Sequence, residues 1–175
     1  VTISLRELES LLSPCIFLLP ERPSAIVPIK RVYADQLLGT ALQLSLLSTP
    51  EATFLKERAF FNTPRAASMM APGTIIMFYE SSRGGGRKAV TSVGRSTHSH
   101  VLTSDQLNPD TQRKGVVDAD GLERLGNSES KLVTTFDNIL LFERPVSLEK
   151  LREIGCADGA NFTSVKRTSY PHLIR

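Results

Sequence analysis

Three residues able to contact a phosphate or a base follow the first apolar segment of the chain. Residues 25–29 are apolar, and Lys30, Arg31 and Tyr33 come after them. A cation held at the end of a rigid strand can pair with an anion such as a phosphate. The pattern therefore predicts a contact with nucleic acid, and the alternative is a solvated strand end.

The second apolar run, residues 74–78, ends in Tyr79, Glu80 and Ser81. An aromatic face can lie under a base, and a carboxylate can accept a hydrogen bond from the exocyclic amine of that base. These residues are therefore predicted to line the same surface that reads nucleotides. The alternative is that Tyr79 packs against its neighbour Phe78.

A basic loop with three successive glycines follows the second run. Arg83 precedes Gly84–Gly86, and Arg87 and Lys88 come after them. The loop lacks the Gly-Lys-Ser/Thr ending of a phosphate-binding loop, and the residues after it have a strand pattern where that motif needs a helix. We therefore expect no nucleoside triphosphatase, and interpret the loop as a flexible hairpin tip that contacts a nucleic-acid backbone.

The full set of candidates is spread along the chain. The residues predicted to contact nucleic acid are Lys30, Arg31, Tyr33, Arg58, Tyr79, Glu80, Ser81, Arg83, Arg87, Lys88, Arg95 and Thr163. His98 and His100 have no cluster of acidic residues or cysteines beside them, so we predict surface histidines and no metal site. No serine lies in a Gly-x-Ser-x-Gly turn, and the sequence identifies no catalytic residue and no cofactor.

Composition sets the broad class of the protein. The 175 residues suffice for one domain with its own core, and the formal net charge of +3 permits nucleic-acid binding without requiring it. Cys15 and Cys156 are far apart, so neither a disulfide framework nor a zinc site is predicted. No segment has the apolar length of a membrane span or the pattern of a signal peptide, which predicts a cytoplasmic protein with no membrane partner.

Local patterns predict the elements that position these residues. A capping box begins an amphipathic helix over residues 4–12, and a Pro-rich turn separates this N-terminal helical arm, residues 1–24, from a main domain, residues 25–175. In the main domain we expect strands over 25–29, 74–79, 88–97, 131–142 and 162–168, helices over 32–38, 41–47, 118–125 and 146–154 and after Thr49, and an exposed loop over 98–114.

The order of these elements predicts the fold class. Regular alternation of strands with crossover helices is missing, so a parallel doubly wound sheet is not expected. The order favours an α+β fold in which a mixed, mostly antiparallel sheet curls into a β-barrel flanked by helices. Asp137 and Asn138 interrupt an apolar strand, which indicates a β-bulge that directs both side chains at a partner.

The quoted segments also resemble a known family. Residues 29–39, followed by Pro72, Gly73 and the run from Phe78 to Ser81, resemble the opening of ASCH domains in the PUA-like superfamily. The resemblance covers residues 25–97, and residues 131–168 by element order alone. It implies a small PUA-like barrel with a cleft that binds RNA or a modified base and, in a few members, hydrolyses RNA or an acylated nucleoside.

One motif departs from that family. ASCH domains carry Gly-x-Lys-x-x-Glu-x-Arg after the first helix, and the resemblance places its Lys and Glu in the cleft. Here the residues from Gly39 to Leu47 include no such charges, and the nearest substitute is Lys56, Glu57 and Arg58 at a different spacing. Because acid–base catalysis needs a titratable pair within hydrogen-bond reach, we expect little or no hydrolysis.

Three functions follow from the sequence. The favoured one is a module that binds RNA or a modified nucleotide. The second is an ASCH-type hydrolase, either a ribonuclease or an acylated-nucleoside amidohydrolase, in which the fold brings Lys30 together with Glu57 or Glu80. The third is a protein-interaction or regulatory domain of a larger enzyme such as an acetyltransferase, which helix 4–12 and the N-terminal valine favour because they indicate a module with a fused or partner domain.

Overall fold

The structure, a computed structural model, describes residues 2–39, 51–82, 84–116, 129–158 and 162–174. Its strands are β1 (Ser24–Ile29), β2 (Arg58–Asn62), β3 (Ile75–Glu80), β4 (Ala89–Thr103), β5 (Ser130–Ser147) and β6 (Lys166–Thr168). Its helices are α1 (Leu5–Leu11), α2 (Arg31–Leu38), α3 (Pro109–Lys114), α4 (Leu148–Glu153) and α5 (Tyr170–Leu173), and short 3-10 turns span Glu51–Phe54, Pro64–Met69 and Ser104–Gln106.

The six strands form one mixed sheet in the order β2-β5-β4-β3-β1-β6. The pair β1 and β3 is parallel, and the other neighbours are antiparallel. The predicted hairpin of residues 74–79 and 88–97 is confirmed as β3 and β4. The mixed α+β class is confirmed too, but the sheet is open at β2 and β6, so the predicted closed barrel is wrong.

Local signals account for several elements. Ser4 and Glu7 form the predicted capping box of α1, and Gly39 ends α2 in the left-handed conformation at φ 73°. The interruption in β5 is the predicted bulge, because Asn138 has a φ of 50° and the register with β4 shifts there.

Two elements differ from the sequence prediction. β4 continues through His98 to Thr103, and α3 follows it, where an exposed loop was predicted over 98–114. This extension pairs with β5 as far as Ser130, so the ladder of hydrogen bonds overrides the polar composition. β2 was not predicted, and the closing strand is only Lys166–Thr168. The helices predicted over 41–47 and 118–125, and the start of the one after Thr49, lie outside the described residues.

The sheet is buried on both faces. On one face Val27, Phe78 and Phe136 form a core with Ala34 and Leu37 of α2. On the other face Ile26, Tyr79 and Val90 pack with Leu148 and Leu151 of α4. Successive side chains of a strand point to opposite faces, so β1, β3 and β5 contribute to both cores.

The N-terminal segment is held to the sheet by a buried ionic cluster, which we call the Arg95 network: Glu9, Arg22, Arg95 and Asp137. Both Glu9 and Arg95 are almost fully buried. Arg95 donates to Asp137 at 2.9 and 2.6 Å and to Glu9 Oε2 at 3.0 Å, and Arg22 donates to both oxygens of Glu9. Helix α1 is therefore fixed to β4 and β5 by charge-assisted hydrogen bonds.

Asn138 completes this attachment. Its side-chain amide donates to the carbonyl oxygens of Glu9, at 3.2 Å, and Cys15, at 2.9 Å. The two polar residues of the bulge thus act on the N-terminal segment, Asp137 through Arg95 and Asn138 directly. The division at residue 24 stays a prediction. Within the described residues, no helix is both long and apolar enough to cross a membrane.

Candidate nucleic-acid interface

The parallel pairing of β1 and β3 brings the two predicted halves of the site together. Ile29 pairs with Glu80 at the carboxyl ends of the strands, and the Ser81 N–H donates to the Ile29 carbonyl at 2.9 Å. Ala89, the first residue of β4, pairs with Glu80 on the other side. We call the edge formed by Lys30, Arg31, Glu80, Ser81, Arg87 and Lys88, with Gly84–Gly86, the glycine-loop edge.

The glycines let the loop fold back on the strand that precedes it. Gly84 and Gly85 have φ values of 74° and 78°, a region that side-chain-bearing residues rarely adopt. A Cβ at Gly86 would lie 1.7 Å from the Ser81 carbonyl oxygen, so no side chain fits there. Arg31 Nη1 donates to the Gly85 carbonyl at 3.0 Å, which ties the tip of the loop to α2.

Glu80 organises the base of this loop. Its carboxylate is fully buried and accepts a hydrogen bond from the Arg87 N–H at 3.0 Å. The Arg87 Nε lies 3.5 Å from Glu80 Oε2, and the Arg87 side chain keeps 32% of its surface exposed. The role of Glu80 in this geometry is to position Arg87, with the guanidinium at the surface.

Helix α2 contributes the other cations. Lys30 is the N-cap residue, and its Nζ lies 5.9 Å from the centroid of the half-buried Tyr33 ring. Arg31 Nε is 3.6 Å from Asp35 Oδ2, and 47% of the Arg31 side chain is exposed. The edge thus combines the exposed cations Lys30, Arg31, Arg87 and Lys88 with an aromatic ring and backbone amides, a set that suits phosphate and base together.

Four predicted contacts lie elsewhere. Arg95 is buried in the network with Glu9 and Asp137, so its prediction as a ligand contact is corrected to a structural role. Tyr79 is fully buried, and its ring centroid lies 4.9 Å from that of Phe162, on the face of the sheet that carries α4. Its burial raises the pKa of its hydroxyl. Tyr79 therefore packs in the core, though against Phe162.

Arg58 lies in β2, and it donates to the carbonyls of Leu37, at 2.5 Å, and Leu55, at 3.2 Å. Arg58 thereby supplies a donor to a carbonyl in the last turn of α2, and burial lowers the pKa of its guanidinium. Thr163 is exposed in the segment before β6. Arg83 lies outside the described residues.

A second polar cluster was not predicted as a site. The Thr97 hydroxyl donates to Glu57 Oε1 at 2.6 Å, and Lys114 Nζ lies 3.0 Å from Glu57 Oε2. Burial raises the pKa of Glu57, but the hydrogen bonds from Thr97 and Lys114 and the Lys114 charge outweigh it and hold that pKa below its ordinary value. Lys114 is 57 residues from Glu57 in sequence, and no local pattern links them.

The alternative in which the fold brings Lys30 to Glu57 does not occur. Glu57 precedes β2, whose first residue pairs with Phe136 of β5. Phe136 in turn pairs with Ser96 of β4, which lies beside the amino end of β3. Lys30 follows the carboxyl end of β1 instead. The two therefore lie about 15–20 Å apart along the strand direction, at about 3.3 Å per residue. His98 is exposed, as predicted, with Nδ1 at 3.9 Å from Glu57 Oε1.

Comparison with solved structures settles the fold. The ASCH protein of Zymomonas mobilis superposes with a TM-score of 0.59 at 16% identity, over 88% of this chain and 93% of that one. The chain has the ASCH fold. A tyrosine-to-phenylalanine variant of the same protein gives a TM-score of 0.65 at 13% identity over 87% of this chain and 95% of that chain.

A serine-to-alanine variant of that protein gives a TM-score of 0.62 at 15% identity, over 89% of this chain and 95% of that chain. No family model matches the sequence, and no curated protein matches it. The predicted resemblance to ASCH domains is therefore confirmed at the level of the fold. The glycine-loop edge and the Glu57 cluster are two polar sites on this ASCH fold, and their chemistry rests on the residues of this chain.

Proposed function

We propose that this ASCH-fold chain binds RNA or a modified nucleotide at the glycine-loop edge. The observation that carries the proposal is the parallel pairing of β1 with β3, which sets Lys30 and Arg31 beside the loop that bears Arg87 and Lys88. The buried carboxylate at this edge, Glu80, is engaged by Arg87, and Asp35 contacts Arg31. Exposed cations with one half-buried aromatic ring suit an unpaired strand, whose phosphates and bases are both accessible.

The test is a salt titration of binding to a labelled single-stranded RNA, followed by fluorescence anisotropy. Binding should weaken with salt, and Lys30→Gln should reduce the slope of log affinity against log salt by about 0.7, the value for one phosphate contact on a single strand. Lys56→Gln is the matched control, because Lys56 is an exposed cation before β2, toward the opposite end of the sheet from this edge. Equal slopes for Lys30→Gln and the parent would refute the proposed edge.

A competition experiment tests whether the ligand is single-stranded or duplex nucleic acid. An unlabelled duplex of the same sequence should displace the labelled strand poorly, since stacking on Tyr33 needs an unpaired base. Tyr33→Leu should weaken binding to the single strand while leaving the salt slope unchanged. A duplex that competes as well as the single strand would mean that the edge recognises phosphates alone.

Hydrolysis is the second candidate, and the Glu57 cluster favours it. A carboxylate 2.6 Å from a hydroxyl, with an ammonium group 3.0 Å away, has the elements of a base and its stabilising cation. However, Thr97 is only 3% exposed, which limits access of a substrate to the hydroxyl, and we rank this candidate second. The expected result with RNA or acylated cytidine is no turnover. Turnover abolished by Glu57→Gln and retained by Lys30→Gln would make the chain an enzyme.

A further inference from the structure

A cavity of about 660 Å³ lies on the face of the sheet that carries α4. Its floor is formed by Met77, Val93, Leu140 and Phe142 of β3, β4 and β5. One wall is α4, through Leu151 and Ile154, and Ile16 and Leu18 of the N-terminal segment line it as well. This volume lies in the range of small-molecule sites, about 300–1,000 Å³. We call this space the α4 cavity.

The lining of the α4 cavity decides the class of ligand. Apart from Ser147, Lys150 and His172, all of its lining side chains are apolar. A nucleobase placed there would leave the donors and acceptors of its edges without partners, which is unfavourable. The lining therefore favours an aliphatic chain, and the α4 cavity shares no residue with the glycine-loop edge.

The polar groups in the lining decide the head group. Among the described residues that line the α4 cavity none is acidic, whereas Lys150 and His172 are potential cations or donors. Lys150 Nζ is 2.9 Å from Glu153, but 49% and 68% of these side chains are exposed, so this ion pair is weak and a ligand carboxylate can replace Glu153. The His172 Nδ1 is 3.0 Å from the Ser169 hydroxyl, which orients the ring.

We propose that the α4 cavity binds a medium-chain aliphatic carboxylate. Its chain lies on Met77, Val93, Leu140 and Phe142, and its carboxylate is held by Lys150 and His172. Because Ile16 and Leu18 line the cavity and the same segment is tied to β4 by the Arg95 network, the bound chain also contacts the N-terminal segment. The ligand thus contacts the sheet, α4 and the N-terminal segment at once.

The first test needs no variant. Calorimetric titration of the parent chain with hexanoate, octanoate and decanoate should give saturable binding to one site, tightening by about fourfold for each added methylene. Octanol should bind more weakly than octanoate, because it lacks the charge. Absence of saturable binding for the whole series, or an affinity that does not depend on chain length, would overturn the proposal.

The second test blocks the cavity. Leu140→Trp should weaken decanoate binding by more than tenfold, because the larger side chain occupies the floor. Leu141→Trp is the matched control: Leu141 is the next residue of β5, is 48% exposed and does not line the cavity. Equal binding by the two folded variants would overturn the proposal, and Val93→Phe replaces Leu140→Trp if that variant fails to fold.

The third test addresses the head group. Lys150→Gln should weaken the binding of octanoate by up to about fivefold, since an exposed ion pair contributes modestly. It should leave the binding of octanol unchanged. Lys56→Gln is the control, because Lys56 is exposed at the turn before β2 and lies outside the cavity. RNA binding should be the same in Lys150→Gln and the parent, which separates this site from the glycine-loop edge. An equal loss of affinity for octanol would show that Lys150 does not bind the carboxylate.

Discussion

Two arginines lie at opposite ends of the β3–β4 hairpin, and each contacts a fully buried glutamate. Arg95 in β4 pairs with Ile75, the first residue of β3, and contacts Glu9. Arg87 precedes β4 and contacts Glu80, the last residue of β3. The side chain of Arg95 is 1% exposed and that of Arg87 is 32% exposed.

The difference lies in the exposure of each guanidinium. Arg95 donates to Asp137, Glu9, the Arg6 carbonyl and the Ser10 hydroxyl, at distances between 2.6 and 3.0 Å. Arg87 has a longer contact of 3.5 Å to its carboxylate and a surface position. The same residue type therefore stabilises the fold at one end of the hairpin and, in our proposal, meets a ligand at the other.

The largest expected effect is on stability, from Arg95→Ala. Removing one partner of a buried ion pair leaves uncompensated charges, and we expect the free energy of unfolding to fall by about 3–5 kcal/mol. Denaturant unfolding at neutral pH measures this change. Arg87→Ala is the comparison variant and should lower that free energy by less, about 1–2 kcal/mol, because the backbone N–H of residue 87 still donates to the buried Glu80 carboxylate. If both variants lose the same amount, the contrast between the two ends is incorrect.

The second effect is a loss of the stability that Glu9 contributes to the Arg95 network as the pH falls. Burial raises the pKa of Glu9, but hydrogen bonds from Arg22, the Phe17 N–H and Arg95 lower it more, so the folded-state pKa lies below its ordinary value of 4.5. A carboxyl group with a lowered folded-state pKa stabilises the protein above 4.5, and that stabilisation is lost as pH falls through the folded-state pKa. The stability difference between the parent and Glu9→Gln should therefore be largest near neutral pH.

This difference is measured by denaturant unfolding of both proteins at about pH 7 and at about pH 3, on either side of the ordinary pKa of 4.5 at which Glu9 protonates in the unfolded chain. It should shrink at the lower pH. A difference that stays constant across this range would mean that folding does not shift the pKa of Glu9.

At the exposed end, the effect should be on binding. Arg87→Ala should reduce the salt dependence of single-stranded RNA binding by about 0.7 in slope, as expected for one lost phosphate contact. The measurement is fluorescence anisotropy over a range of salt concentrations, with Lys56→Ala as the control. A salt dependence identical to that of the parent would remove the loop from the proposed site.

The smallest effect is expected from Asp35→Asn. Asp35 lies 3.6 Å from Arg31 and is partly exposed, so its charge offsets part of the positive potential of the glycine-loop edge. Its removal should tighten RNA binding by about twofold and change stability by less than about 0.5 kcal/mol. Anisotropy at low salt measures the gain. Weaker binding by this variant would indicate that Asp35 contacts the ligand or holds Arg31 in place.

Local signals predicted the elements on both sides of this comparison but not their roles. The capping box of α1, the Gly39 end of α2, the β3–β4 hairpin and the Asn138 bulge were all predicted from short-range patterns. The assignment of Arg95 to the ligand surface failed because its partner Glu9 is 86 residues away. No property of Arg95 alone distinguishes it from Arg87.

Long-range pairing explains the other features that the sequence did not predict. β2 is short, and Ala59, Phe60 and Phe61 are consecutive apolar residues, so the alternating burial of Arg58–Asn62 does not appear as a period-two pattern in the sequence. The polar end of β4 is a strand because β5 pairs with it, and the Glu57 cluster forms because α3 brings Lys114 to β2. The lowered pKa of Glu57 and the open edges of the sheet follow from these contacts, not from local composition.

The Arg95 network also constrains the order in which the chain can assemble. Glu9 is bonded to nearby Arg22 and also to Arg95, which is bonded to Asp137, so part of the set of partners of α1 lies in β4 and β5. During synthesis, which proceeds from the N-terminus, α1 leaves the ribosome long before β5 does. Its buried carboxylate then has no complete set of partners until β4 and β5 have paired, and closing contacts of such long sequence separation is slow. Helix α1 is therefore synthesised before β4 and β5 but can dock fully only after they have paired, and until then Glu9 stays in water.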